Sequence, residues 1–129
     1  MFIKIPFWKQ ISRKFFKPEI YPEAFFAYFH RLPDKLQVSW FREDGMIIGK
    51  VSAGDKEFVT QGADAEDFIR MMNESLITVF NIPQDYFDII KQAKTYNPTP
   101  DERRLMEDKS VSKSTVGLVG IERSVKFAY

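Results

Sequence analysis

Between residues 36 and 40 the chain alternates, with Leu36, Val38 and Trp40 separated by Gln37 and Ser39. A period of two places the apolar side chains on one side of an extended segment, so a half-buried β-strand is expected. Asp44-Gly45 follows, a pair that accepts the positive φ angles of a type I′ turn, and Met46 to Ala53 should return as a second strand. Gly54-Asp55 offers another turn, and Glu57 to Gln61 a third strand. The pattern predicts a three-stranded antiparallel meander.

After Gly62 the period lengthens to that of a helix. Ala65, Phe68, Ile69, Met72, Leu76, Val79 and Phe80 form one apolar face, with Glu66, Arg70 and Glu74 opposite. Asp64 suits the N-cap, and Asp67 complements the positive helix start. Asn81 suits the left-handed residue that ends such a helix, and Pro83 blocks its continuation. This long amphipathic helix is expected to pack on one face of the sheet.

The flanks are less regular. Residues 1–33 read as a helical extension in two pieces. Pro6 opens the first, which sets Phe7, Trp8, Ile11 and Phe15 against Lys9, Arg13 and Lys17. Pro18 and Pro22 interrupt the pattern. Ala24 to Leu32 is apolar nearly all round, which suits a helix covered on more than one side, and Pro33-Asp34 ends it. Downstream, Asp85 to Lys94 reads as a shorter helix with Phe87 and Ile90 inward. Thr99-Pro100-Asp101-Glu102 matches a capping box that opens a charged helix to about Asp108. Ser110 to Ser114 reads as a polar linker. Thr115–Val119 and Ser124–Phe127 are β-prone, and suit an added strand, a hairpin or a mobile tail. The expectation is one α+β domain over 1–129, with an extension at 1–33, a core at 34–98 and a short helix with a β-prone tail at 99–129.

Composition narrows this picture. A chain of 129 residues that is 44% apolar suits one hydrophobic core. With 13 Phe, either that core is rich in phenylalanine or some of them face a partner. A net charge of +1 argues against a surface built throughout for nucleic acid. The absence of Cys removes disulfides, Cys-ligated zinc and thiol catalysis. No apolar run approaches the ~20 residues needed to span a bilayer. Basic residues interrupt the N-terminal hydrophobic stretch, which has no small-residue cleavage site and does not read as a secretory signal. A cytoplasmic protein is expected.

Candidate chemistry is sparse. Asp44, Asp55, Asp64, Glu66 and Asp67 fall on predicted turns and at a helix start, whereas a two-metal nuclease needs several carboxylates converging on its ions. His30 is the only histidine and has no second ligand to share a metal with. Ser110, Ser112 and Ser114 have no neighbouring base. No phosphate-cradling glycine motif occurs. The reading therefore assigns no catalytic residue, no metal and no cofactor.

Two features suit binding. In the N-terminal segment Trp8 and Phe16, with Lys9, Arg13 and Lys17, combine aromatic and basic surface that could attach to phosphates, an anionic lipid surface or an acidic partner. The plainer alternative is that the aromatic face docks on the sheet and the lysines are solvated. The second feature is the sheet edge. The strand around Phe58, Val59 and Thr60, or the C-terminal β-prone segment, is expected to pair with a partner strand or a second copy, a homodimer being simplest.

The stretch from Val38 to Phe80 resembles the HicB family of antitoxins. The resemblance is carried by the hairpin at Asp44-Gly45, by Ile47-Ile48-Gly49-Lys50-Val51, and by Phe58-Val59-Thr60-Gln61-Gly62-Ala63-Asp64 running into the helix. It covers about a third of the chain. It implies a strand–strand–strand–helix core related to RNase H but lacking its catalytic carboxylates, and neutralisation of a small mRNA-cleaving toxin. Many members also bind their own operator, but no helix-turn-helix or ribbon-helix-helix pattern follows Phe80. The expected function is a non-catalytic protein-binding module, antitoxin-like or otherwise regulatory, with a small toxin-like protein or a second copy as partner. The alternative is nucleic-acid binding through the N-terminal segment; attachment to a membrane surface is disfavoured.

Overall fold

A computed structural model of the chain describes residues 20–124. The two short turns set the geometry. Strand β1 (Lys35–Glu43) turns through Asp44 and Gly45, whose φ angles of 52° and 78° are the pair that a type I′ turn requires. Strand β2 (Met46–Ala53) then pairs antiparallel with β1, with Val38 opposite Val51 and Trp40 opposite Gly49. Gly54, at φ 62°, opens the second two-residue turn, and β3 (Lys56–Gly62) pairs with β2. The expected meander is present, with β1 and β3 each longer than the alternation alone indicated.

Helix α1 (Pro22–Arg31) precedes the sheet and α2 (Ala65–Val79) follows it. The start of α2 is held locally: Asp64 Oδ1 accepts from Asp67 N at 2.8 Å, and Asp67 Oδ2 accepts from Ala63 N at 2.9 Å. Its apolar face buries Ala65, Phe68, Ile69, Met72, Leu76 and Ile77 against Leu36, Val38, Trp40, Ile47 and Val51. Each large side chain so buried contributes about 1.5–3 kcal/mol. The approach is close enough to demand glycine. A Cβ on Gly49 would lie 2.5 Å from the Phe68 ring, and one on Gly62 would lie 2.3 Å from Phe68 N. Gly62→Ala therefore cannot be absorbed without moving the helix.

Beyond α2 a 3₁₀ turn (Gln84–Tyr86) leads into α3 (Phe87–Ala93). Ile90 is buried as expected, whereas Phe87 is only half-buried and Tyr86 and Ala93 join the core. Lys94 leaves the helix and starts the short β4 (Lys94–Thr95). Helix α4 (Pro100–Glu107) carries both halves of its capping box: Glu102 N donates to Thr99 Oγ1 at 3.2 Å and Thr99 N to Glu102 Oε2 at 3.3 Å. Its one buried side chain is Met106.

Of the alternatives for Thr115–Val119 the added strand holds, so that segment is committed within the chain: β5 (Lys113–Gly120) pairs antiparallel with β1, which makes a four-stranded sheet in the order β3-β2-β1-β5. Strand β1 has unspent backbone groups on that side, and half-buried Val116 and Val119 gain contact with the core. Part of the supposed polar linker is in that strand too, since Lys113 faces Phe41 and Ser114 faces Trp40. A final short strand, β6 (Glu122–Arg123), pairs with β4. Pro22 opens α1 rather than breaking it, because the first helical turn needs no N–H there. That helix is also amphipathic rather than covered all round: Phe25 and Phe29 are buried, while Phe26 keeps 40% of its surface exposed. The expected N-terminal helix from Pro6 and the segment beyond Ser124 lie outside the described residues.

Candidate functional site

The phase of hydrogen bonding decides what β3 offers. Across a two-residue turn the flanking residues form a hydrogen-bonded pair, here Ala53 and Lys56, and the pattern alternates from there. Phe58, Thr60 and Gly62 therefore turn their backbone groups toward β2, and Glu57, Val59 and Gln61 turn theirs outward. The same rule applied to the first hairpin turns Arg42 away from β2, and Arg42 N does donate outward, to Ser112 O at 2.7 Å. Among the described residues no strand pairs with the outer side of β3.

Side chains divide in the same rhythm. Val59 is 63% exposed at the middle of the edge. Phe58 points to the α2 side, half-buried against the core. Thr60 is 5% exposed, its hydroxyl 3.4 Å from Ser75 Oγ, and its backbone faces β2. Of the expected partner contacts Phe58, Val59 and Thr60, only Val59 presents both backbone and side chain to a partner. Thr60 is withdrawn because α2 covers it. Glu57 and Gln61 share the outward backbone phase of Val59. The turn length alone would have revealed them, since it sets which residues face outward.

Beside this edge a groove of about 290 Å³ runs between β3 and α2, lined by Phe58, Val59, Met71, Ser75 and Val79 among others. The sheet face away from α2 holds a depression of about 530 Å³ whose polar lining is Gln37, Ser39, Lys50, Ser52, Glu57 and Thr115, with Val59 at its β3 side. Its hydroxyls, amide and opposed charges suit a solvated face of an antiparallel sheet.

Other chemistry-bearing groups are spoken for. Hydrogen bonds from Ala63 N and Arg70 hold the Asp67 carboxyl below its usual range, and those from Ser110 do the same for Asp108. Asp44 and Asp55 sit in the turns and Asp64 caps α2. His30 lies exposed on α1, edge-on to the Phe29 ring. Among the described residues no three His, Asp or Glu side chains gather where they could hold a metal ion. No described helix is long and apolar enough to cross a membrane.

Two residues that sequence reasoning passed over, the buried Lys94 and the half-buried Asn73, hold backbone groups far away in the chain. Lys94 Nζ donates to Phe29 O at 3.0 Å and Leu32 O at 2.6 Å, lies 3.1 Å from Asp34 Oδ1, and sits 4.8 Å above the Phe29 ring. Burial pushes its pKa below the ordinary value. A lysine with a depressed pKa is a candidate nucleophile. Here its donors are all engaged, so it acts as a clamp on the end of α1. Asn73 does similar work for Tyr96: Oδ1 accepts from Tyr96 N at 2.7 Å and Nδ2 donates to Tyr96 O at 3.1 Å.

Trp8, Lys9, Arg13, Phe16 and Lys17, the expected nucleic-acid or surface contacts, lie outside the described residues. Compared with protein-family models, curated proteins and solved structures, the chain matches none. The likeness to the HicB antitoxins therefore rests on the sequence of residues 38–80.

Proposed function

We propose that this chain is a non-catalytic, cytoplasmic protein-binding module, antitoxin-like or otherwise regulatory, and that β3 is its binding element. The observation that carries the reading is the outward phase of Glu57, Val59 and Gln61, beside an exposed Val59 and the groove along α2. A strand added there gains backbone hydrogen bonds for affinity, and the groove selects its side chains. The resemblance to HicB antitoxins suggests a small toxin-like protein as partner. A non-catalytic role is supported by acids already committed to caps and turns, and by a buried lysine whose donors are all taken.

The test is affinity purification of the tagged full chain from its native host, run beside Val59→Lys. A small protein recovered in stoichiometric amount by the wild type and lost from the variant is expected. Recovery unchanged by Val59→Lys would remove β3 as the binding element, and nucleic acid released by salt would favour the N-terminal segment instead.

A further inference from the structure

We infer that the strand received by β3 is the β3 of a second copy, paired antiparallel about Val59; this deepens the reading of β3 as the binding element and rests on it. A two-fold axis through Val59 sets Val59 against Val59 of the second copy and Glu57 against its Gln61. These are the residues whose backbone groups point outward, so each pair exchanges both of its hydrogen bonds.

Charge selects this arrangement. The strand's only charged residues, Lys56 and Glu57, stand together at its start, and its far end, Gln61-Gly62, is neutral. Antiparallel self-pairing lays the charged end of each copy against the neutral end of the other, and no like charges meet. On the α2 side Lys56 comes opposite Gly62 of the second copy. There the α2 backbone at Asp67 and Phe68 lies directly above the glycine, which brings the incoming ammonium near the first turn of α2, where Glu66 adds negative charge and Asp67 is paired with Arg70. Symmetry repeats that contact at both ends. A parallel pairing in register would set Lys56 against Lys56 instead.

The two edges of the sheet differ in regularity. The register of β5 against β1 is broken between Gln37 and Val38, whereas β3 keeps an unbroken register along its length.

The test uses purified full-length protein alone. Sedimentation velocity across micromolar concentrations should show a dimer. Val59→Lys puts like charges directly opposite at the axis and should weaken self-association at least ~100-fold while leaving the far-UV spectrum unchanged. The chain has no Cys, so Val59→Cys introduces a single thiol. Cα atoms of a hydrogen-bonded antiparallel pair lie about 5.5 Å apart, inside the roughly 4.4–6.8 Å that a disulfide spans. Mild oxidation should therefore link Val59→Cys into a dimer faster than Leu118→Cys, a site 71% exposed on the opposite edge strand. A monomeric wild type, a Val59→Lys variant that remains dimeric, or equal cross-linking at the two sites would each overturn the inference. A monomeric wild type whose captured protein is still lost with Val59→Lys would leave β3 as a binding element for a foreign strand.

Discussion

Helices α1 and α2 end in opposite ways. Helix α2 closes on itself: Asn81 takes φ 56°, its N–H donates to Thr78 O at 3.1 Å, and Ile82 N donates to Ile77 O at 3.0 Å. Carbonyls left over by the last turn are met within five residues. Helix α1 has no left-handed residue, since Leu32 is extended at φ −70° and ψ 143°. Its carbonyls at Phe29, and that of Leu32 just beyond, are met by the ammonium of Lys94, 62 residues from Leu32 in the chain. Asp34, just past the helix, neutralises that ammonium and also pairs with Arg123. A local cap costs one strained dihedral. A borrowed cap costs the desolvation of a charge, but it ties α1 to β4 and β6 in one step. Arg31 links the two systems, because it leaves the last turn of α1 to donate to Asn81 O at 2.8 Å.

The sharpest way to break this contrast is Lys94→Met. It keeps much of the apolar stem but strips two carbonyls of their donor, and stability should fall by about 2–3 kcal/mol in urea denaturation. A loss below a few tenths would mean that α1 ends without help. The same pair of proteins carries a pH signature. Burial holds the folded pKa of Lys94 below the ordinary lysine value of 10.5. Between the folded and unfolded values the unfolded chain binds more protons, so stability gained from this group rises with pH. The margin of wild type over Lys94→Met should widen as pH climbs toward 10.5. Tyr96, whose hydroxyl pKa is raised by burial, acts with the opposite sign but is common to both proteins and cancels.

The local cap should respond more mildly. Asn81→Ala forces a Cβ without a compensating amide into left-handed backbone and should cost about 1 kcal/mol, whereas Asn81→Gly should be neutral or slightly stabilising. If both variants melt alike, the dihedral is not what closes α2. Smallest of all is Arg31→Ala, which removes an exposed cation from the negative end of α2 and should cost about 0.5 kcal/mol, reduced further by salt.

Legibility in the sequence follows the same division. Asp64 with Asp67, Asn81, the Asp44-Gly45 turn and the Thr99–Glu102 box were readable because donor and acceptor lie within a few residues, so local pattern contains the whole interaction. The alternation of Leu36, Val38 and Trp40 identified the buried face of β1 for the same reason. Lys94 was read as the last residue of a short helix, since nothing nearby reveals the carbonyls it serves. Asn73 drew no reading from the sequence, because its partner Tyr96 is 23 residues on. For the candidate site, Val59 was readable as an edge residue. The burial of Thr60 under α2 was not readable, and the outward phase of Glu57 and Gln61 was passed over although the turn length implied it.

What the chain's own order of residues determined, then, is the meander, the long helix after it, and the cap at each place where the helix chemistry closes locally. Only the tertiary structure decided that residues 113–120 complete the sheet beside β1, leaving β3 as the edge with no partner among the described residues. It also decided that one lysine is buried to finish a distant helix. The reason is physical: hydrogen bonds and hydrophobic faces show in sequence which groups must be satisfied, but when the satisfying group is many residues away, only the folded packing selects it.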